Sequence, residues 1–536
     1  MRLQIVCILV AVIAGTSARG QDEPHAALAA RLFPTSEQCI ACHSGIHTAS
    51  GEDVSIGYAW RASMMASSAL DPYWHAGVRR EVMDYPQAED AIEDTCSTCH
   101  MPMARFAAVA SNGRGRVFAN LAPEPAPAAV DGVSCSVCHQ IEAEGLGTEA
   151  SFDGGFTVDL SASGQPRRMF GPHDVDPGLQ TLMQSASGAV QAQATHLRES
   201  ELCATCHTLY THALSVGEEG VADALPEQVP YLEWLASDYR ETRSCQSCHM
   251  PEPAEQVPIS SVLGAPRPGF SRHDFRGGNA FMLGILSRHR GELGVQALPQ
   301  ELDAAIARTK AFLAESTARV GIDSAARAGR ELAFDVAIEN LAGHKFPTAY
   351  PSRRAWLHVT VTDANGELVF ESGAMRADGS IVGNANDDDA SLFEPHYREI
   401  TSADQVQIYE PIMVGPDGRV TTGLLTAVRY VKDNRLLPAG FDKATASRDV
   451  AVQGAARDDP DFTGGGDRVR YAVTLPATAR APLRVRAELA FQTIGHRWAN
   501  NLRGYRAPEP ERFLRYYDAA AAGSAMGIAA AAAVVD

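Results

Sequence analysis

The pattern Cys-x-x-Cys-His occurs five times in these 536 residues. The copies are CIACH (Cys39, Cys42, His43), CSTCH (Cys96, Cys99, His100), CSVCH (Cys135, Cys138, His139), CATCH (Cys203, Cys206, His207) and CQSCH (Cys245, Cys248, His249). They hold ten of the eleven cysteines, and a histidine follows the second cysteine every time. Zinc sites would pair these dithiols two by two, leave one over and give the adjacent histidine no role. A thioredoxin-like dithiol is normally single and lies near a βαβ unit. A disulfide across two residues is strained and closes little chain. Covalent haem uses every residue of the pattern: two thioethers anchor the macrocycle and the histidine becomes the proximal iron ligand. The sequence therefore predicts five covalent haem c groups, with His43, His100, His139, His207 and His249 proximal.

The eleventh cysteine, Cys7, sits in MRLQIVCILVAVIAGTSARG. One basic residue, a short apolar run and a patch of small residues read as a secretory signal over residues 1–20. The run is too short for a membrane span, and no later segment is apolar enough to be one. The expected location is the periplasm or, after further export, the cell surface. A net charge of −19 excludes nucleic acid as an expected partner. It is compatible with a basic redox partner and equally with simple solubility.

The expected fold is α+β and multidomain. Residues 21–300 carry all five motifs and are broken by stretches such as LAPEPAPAAVDG (Leu121 to Gly132). Such a chain buries little apolar surface by itself, so short helices and loops wrapped around the haems are expected. ELDAAIARTKAFLAES places Leu302, Ile306, Thr309 and Leu313 on one helical face, which predicts a linker helix within 301–327. LAFDVAI, VRYAVTL and LRVRAELAF alternate with period two, and Asn365-Gly366 splits two apolar runs as a hairpin does. This predicts an immunoglobulin-like β-sandwich over 328–510, free of cysteine and able to fold without haem. Residues 511–536 read as an alanine-rich tail.

Several stretches resemble one group of exported multihaem c-type cytochromes, related to the nitrifiers' tetrahaem cytochrome and to hydroxylamine oxidoreductase. They are AWRASMMASSALDPYW (Ala59 to Trp74), IEDTCSTCHMPM, MFGPHD, HLRESELCATCHTLYT, EQVPYLEWLASDY, SCQSCHMP, FSRHDFRGGNAFML and NLAGHKFPTAYPSRRAWLHV, spread over most of 36–360. Hydroxylamine oxidoreductases carry more haems, and some relatives use a CxxCK site. Neither feature is present here, so the resemblance implies electron transfer and does not extend to an enzyme activity.

Seventeen histidines less five proximal ones leave twelve for the sixth iron positions. His196 and His273 fit the resemblance, and Gly277 and Gly278 after His273 would allow close approach to a macrocycle. His47 and His212 follow proximal histidines too closely to reach their own haem's far face, so each would serve a neighbour. His75, His173 and the sulfurs of Met64 and Met65 are further candidates, with buried packing as the alternative. His344, in GHKFPT within the β region, is either a cross-domain ligand or a turn residue. His25, His289, His358, His396 and His496 read as surface or packing residues. This supply predicts that all five haems are six-coordinate.

The expected function is an electron relay whose β region docks a redox protein, such as another cytochrome or an exported or membrane oxidoreductase, or a second copy of the chain. The alternative is an oxidoreductase acting on a small nitrogen or sulfur compound at one open haem. Arg167, Arg168, Tyr231 and Glu233 have the acid-base chemistry that such a site would use.

Overall fold

The computed structural model describes residues 22–121, 123–160, 166–215 and 224–536. The signal sequence expected over 1–20 lies outside the described residues. No helix among them is long and apolar enough to cross a membrane.

Up to Ser316 the chain is short helices joined by loops. Local chemistry explains where they start. In Pro72–Asp84, Asp71 accepts the N–H groups of Tyr73 (2.8 Å) and Trp74 (3.3 Å), and Pro72 occupies the first turn. Two small ribbons interrupt the helices. In one, β1 (Arg167–Gly171) runs parallel to β2 (Ala189–Gln193); in the other, β3 (Leu209–Thr211) pairs antiparallel with β4 (Leu225–Gln228).

The remaining strands are β5 (Ala318–Ala328), β6 (Glu331–Asn340), β7 (Arg354–Thr362), β8 (Leu368–Ser372), β9 (Glu399–Ile400), β10 (Ile408–Tyr409), β11 (Pro411–Val414), β12 (Val420–Thr421), β13 (Arg429–Asp433), β14 (Gly466–Thr474), β15 (Leu483–Gln492) and β16 (Ala525–Val535). One sheet has the order β5-β6-β14-β9. A second has β10-β7-β15-β16 with β8 also on β7, and a third has β12-β11-β13. The first two sheets share one core. Leu332, Phe334, Val336 and Ile338 of β6 and Tyr471 of β14 meet Leu357, Val359 and Val361 of β7 and Val485 and Leu489 of β15. These are the alternate residues of each strand, as the period-two pattern requires. The Asn365-Gly366 hairpin joins β7 to β8, with Gly366 at φ +80°.

Two boundaries differ from the sequence expectation. The linker helix ends at Ser316, and residues placed in it, from Ala318, form β5 beside β6. The alanine-rich tail is no tail. Eleven of its last twelve residues, Ala525–Val535, are β16, paired antiparallel along β15 from Leu483↔Val535 to Gln492↔Ala525. Alanine favours helix over strand, but the open edge of β15 supplies partners that propensity cannot anticipate.

The β region is also stitched to the motif-bearing region. The helix Pro508–Ala520 returns onto Pro72–Asp84, with the rings of Phe513 and Tyr73 4.9 Å apart and Glu509 bound to Arg79 at 2.9 Å. Phe513, Leu514 and Tyr517 share a core with Met282, Leu283, Leu286 and Leu302. A piece cut at 328 and 510 would lose β5, β16 and this packing, because the sheets extend past both expected ends.

His396 is neither on the surface nor merely packed. Its Nε2 meets Asp459 at 3.0 Å, and its Nδ1 accepts from Gln407 (2.9 Å) and Asn434 (3.1 Å). With both nitrogens engaged, the cluster of His396, Asp459 and Asp467 is a closed hydrogen-bond network. Asp467 accepts from the Tyr409 hydroxyl at 2.7 Å, and burial pushes its carboxyl up to about 7. The folded state thus keeps a proton that the unfolded chain releases near pH 4. The associated stability is complete below that pH and is lost as pH rises through 7. Asp467→Asn is therefore expected to flatten the pH dependence between 4 and 7. It should raise stability at pH 8 relative to wild type by up to about 4 kcal/mol. Urea unfolding of both proteins at pH 5 and pH 8 checks this; equal pH slopes would refute it.

Candidate functional site

Each motif begins on a helical turn. The backbone N–H groups of His43, His139 and His207 bond to the carbonyls of Cys39 (3.0 Å), Cys135 (3.1 Å) and Cys203 (2.9 Å). In a helical turn, positions i, i+3 and i+4 share one face, so both sulfurs and the imidazole point the same way. All ten cysteines and all five histidines line one continuous cavity of about 1620 Å³.

The motifs are also in contact with one another. Cys39 is a close neighbour of Cys135, Cys99 of Cys206, and Cys203 of Cys245, while Cys138 lies near Cys203 and Cys206. The order in space is therefore first, third, fourth, fifth, with the second beside the fourth. The fourth motif is the junction.

Four of the motif histidines turn Nδ1 to a backbone carbonyl: His43 to Ile259 (2.9 Å), His100 to Ser68 (3.1 Å), His139 to Phe170 (2.6 Å) and His249 to Arg276. Donation from Nδ1–H leaves Nε2 as the free lone pair, the usual arrangement behind a metal-ligating histidine. Burial holds His100 and His249 down to about 4 and lowers His139 and His207, so these rings are neutral, the ligating form.

Two further histidines face this set. The His273 ring lies 6.3 Å from the His139 ring, centre to centre, at 12° between planes. The His344 ring lies 6.2 Å from the His249 ring at 11°. A metal–imidazole bond is about 2.0 Å and a ring nitrogen lies roughly 1.1 Å from its ring centre, so two imidazoles across one metal place their centres about 6 Å apart. His273 and His344 also bond through Nδ1, to Ser271 (2.9 Å) and Lys345 (2.8 Å) carbonyls. Both pairs are thus near-parallel with their Nδ1 atoms occupied. Among the described residues no other pair of histidine rings stacks at this spacing.

The other candidates divide. His173, His212, Met64 and Met65 line the cavity. His212 is exposed at its edge, and Met64 also packs on the core that Leu283 and Phe513 share. His47 is exposed and outside the cavity lining. His75 is buried, but its Nε2 meets the Ala69 carbonyl (2.9 Å) and its Nδ1 accepts from Arg512 (2.9 Å), so neither nitrogen is free. The His196 Nε2 is engaged by the Ile141 carbonyl at 2.8 Å. His75 and His196 thus have ring nitrogens held by local partners, and His47 lies away from the cavity. Gly277 faces open space, as expected, but a Cβ on Gly278 would strike Phe491 at 2.9 Å, so that glycine serves packing against β15.

The acid-base residues suggested for an enzyme are dispersed. Arg167 bonds to Gln140 (2.8 Å) and Arg168 to Glu142 (2.7 Å). Tyr231 lines the cavity and stacks on Trp234 at 5.7 Å. Glu233 is fully buried in an ion network joining the two regions. It takes the Lys345 N–H (3.1 Å) and the Thr348 hydroxyl (2.5 Å), and its other oxygen lies 2.8 Å from Arg435. Lys345 and Arg435 both pair with Asp433, at 2.6 and 2.8 Å. Two cations and two carboxylates balance, and the network holds the backbone next to His344 in place. Residues that sequence reading missed are Trp74, stacked on His100 at 4.4 Å, and Tyr350 and Arg353, which line the cavity from the loop after His344. Their nearness in sequence to GHKFPT is the only signal of it.

No family model matches the chain, and no curated protein sequence matches it. Its fold is similar to that of a penta-heme cytochrome c552 from Thermochromatium tepidum, known from a crystal structure. The TM-score is 0.53 at 18% identity, over 93% of this chain and 98% of that one.

Proposed function

We propose that this chain is an exported cytochrome carrying five covalent c-type haems that relays electrons between redox proteins. The observation that carries the reading is the two near-parallel imidazole pairs with ring centres about 6 Å apart, His139 with His273 and His249 with His344, inside a cavity lined by all five motifs. The likeness to a penta-heme cytochrome over nearly the whole of both chains supports it.

When bound, haem c supplies a one-electron iron couple at each motif. The chain's residues do the rest. The ten cysteines anchor the macrocycles, and the motif histidines offer Nε2 while backbone carbonyls fix the tautomer. His273 and His344 would be the protein ligands that complete the coordination at the third and fifth motifs. His173, His212, Met64 and Met65 are the remaining candidates for the other three. The contacts between motifs set the route, first to third to fourth to fifth, with the second joining at the fourth. Kinship with the hydroxylamine-oxidoreductase-related group rests on the quoted stretches, and export rests on residues 1–20. The two-sheet region is read as immunoglobulin-like, docking a redox partner or a second copy.

The test is the mass and the spin state of the mature protein. Five covalent haem additions are expected, with at least two haems low spin by electron paramagnetic resonance. A mass fitting four or fewer, or a fully high-spin signal, would reject the proposal. A second reading, catalysis at an open haem, is favoured by one observation: among the described residues His43, His100 and His207 have no facing histidine ring about 6 Å away. One equivalent of carbon monoxide bound per reduced chain would bring it forward.

A further inference from the structure

A guanidinium inside a protein needs an opposite charge, because removing it from water unpaired costs several kcal/mol. Two other interior arginines have one. Arg354 meets Asp387 at 2.8 Å, and Arg435 meets both Asp433 and Glu233 at 2.8 Å. Arg353, the immediate neighbour of Arg354, has none. Its Nη1 donates to the Thr348 carbonyl (3.0 Å) and its Nη2 to the Asn279 side-chain oxygen (2.9 Å), both neutral acceptors. Among the described residues no carboxylate forms an ion pair with it. Two of its five N–H groups are thereby used, and three remain.

The side chain lies deep in the fold, and burial with no compensating charge lowers its pKa to about 10. It is half-buried rather than fully covered, and it lines the cavity. Its charge acts on His207, His249 and His344, which puts it between the fourth and fifth motifs. The Tyr350 phenol lines the same cavity. A fork of free donors on an uncompensated cation, turned into a cavity, is the arrangement that binds a carboxylate or a similar planar anion.

We propose that Arg353 is the cationic centre of a buried anion site between the fourth and fifth motifs, taking a carboxylate or a small inorganic oxyanion. The inference rests on the proposed haem attachment. Two sources share this chemistry: a carboxylate side chain of a bound haem, and a free oxyanion that enters the cavity at the fourth motif.

The experiment uses the mature full-length protein as wild type, Arg353→Gln and Arg353→Lys, each first checked by mass for its haems. Missing haems in wild type would defeat the functional reading itself, separately from this site. Redox titration of Arg353→Gln is expected to show lower midpoint potentials for one or two haems and unchanged values for the others. A lost positive charge favours the oxidised, more positive iron. Arg353→Lys, which keeps the charge, should stay near wild type. Nitrite titration separates the sources. A saturable spectral change in wild type, weakened at least tenfold in Arg353→Gln, assigns the site to a free oxyanion. A silent nitrite titration alongside lowered potentials assigns it to a haem carboxylate. Unchanged potentials with silent nitrite would overturn the proposal. If the glutamine variant fails to mature, a crystal structure of the wild type decides: a carboxylate or oxyanion must lie within 4 Å or so of the guanidinium, the range of an ion pair, and its absence overturns the site.

Discussion

His344→Ala is expected to convert one haem from low to high spin while leaving the others unchanged. The His344 ring faces His249 at 6.2 Å and 11°, with its Nδ1 tied to the Lys345 carbonyl. Alanine removes the one imidazole that faces the fifth motif's histidine among the described residues, so a haem held there would lose a ligand. Carbon monoxide should then bind the reduced variant with one more equivalent per chain than it binds wild type. Added imidazole should restore the low-spin signal. This separates a lost ligand from a distorted loop, which free imidazole would not repair. His273→Ala is expected to act in the same way at the third motif. His75→Ala is the counter-case. It disturbs a buried hydrogen-bond pair and should lower stability without changing any spin state, because both ring nitrogens already have protein partners. An unchanged electron paramagnetic resonance spectrum in a folded, fully haem-loaded His344→Ala protein would remove His344 from the ligand set.

Ending the chain at Gly523, just before β16, is expected to abolish the folded β region. The deleted strand pairs with β15 along its length, packs against β5 and contributes Ile528 and Val535 to the core. About ten ladder positions at ~0.5–1.5 kcal/mol per hydrogen bond amount to roughly 5–15 kcal/mol. That is comparable with the whole stability of a typical domain, about 5–15 kcal/mol. The cut also exposes the full edge of β15, a template for aggregation. The expected outcome is insoluble protein or loss of the cooperative thermal transition by circular dichroism. A truncated chain that melts cooperatively within a few degrees of wild type would show that β16 is dispensable.

Much of the chemistry was legible in sequence because haem attachment is local. Cys-x-x-Cys-His fits within one helical turn, so the pattern itself places two sulfurs and an imidazole on one face, whatever the rest of the chain does. The β strands were legible for a related reason. In β6, β14 and β15 one face is buried and the other is not, which writes a period of two into the residues. Gly366 after Asn365 marked its hairpin because a left-handed turn favours glycine.

Pairing across long separations was not legible. His273 faces His139, and His344 faces His249, across stretches of chain that sequence spacing cannot bring together, while His196, closer in sequence to His139, spends its Nε2 on the Ile141 carbonyl. Twelve spare histidines showed that ligands were available; only the tertiary structure separated those that face a motif from His75, whose ring nitrogens are engaged, and His47, which lies outside the cavity lining. The same holds for Arg353 and Arg354. Adjacent in an extended segment, they point to opposite sides, one to Asp387 and one to the cavity, and nothing in their own residue type says which is which. The alanine run of β16 is the clearest case. Alanine has no pattern to read, and its strand exists because β15 offers an open ladder. The sequence alone determined the Cys-x-x-Cys-His geometry on which the proposed haem attachment rests, which is local. The tertiary structure decided the partners, because they depend on surfaces that meet only once the chain has folded.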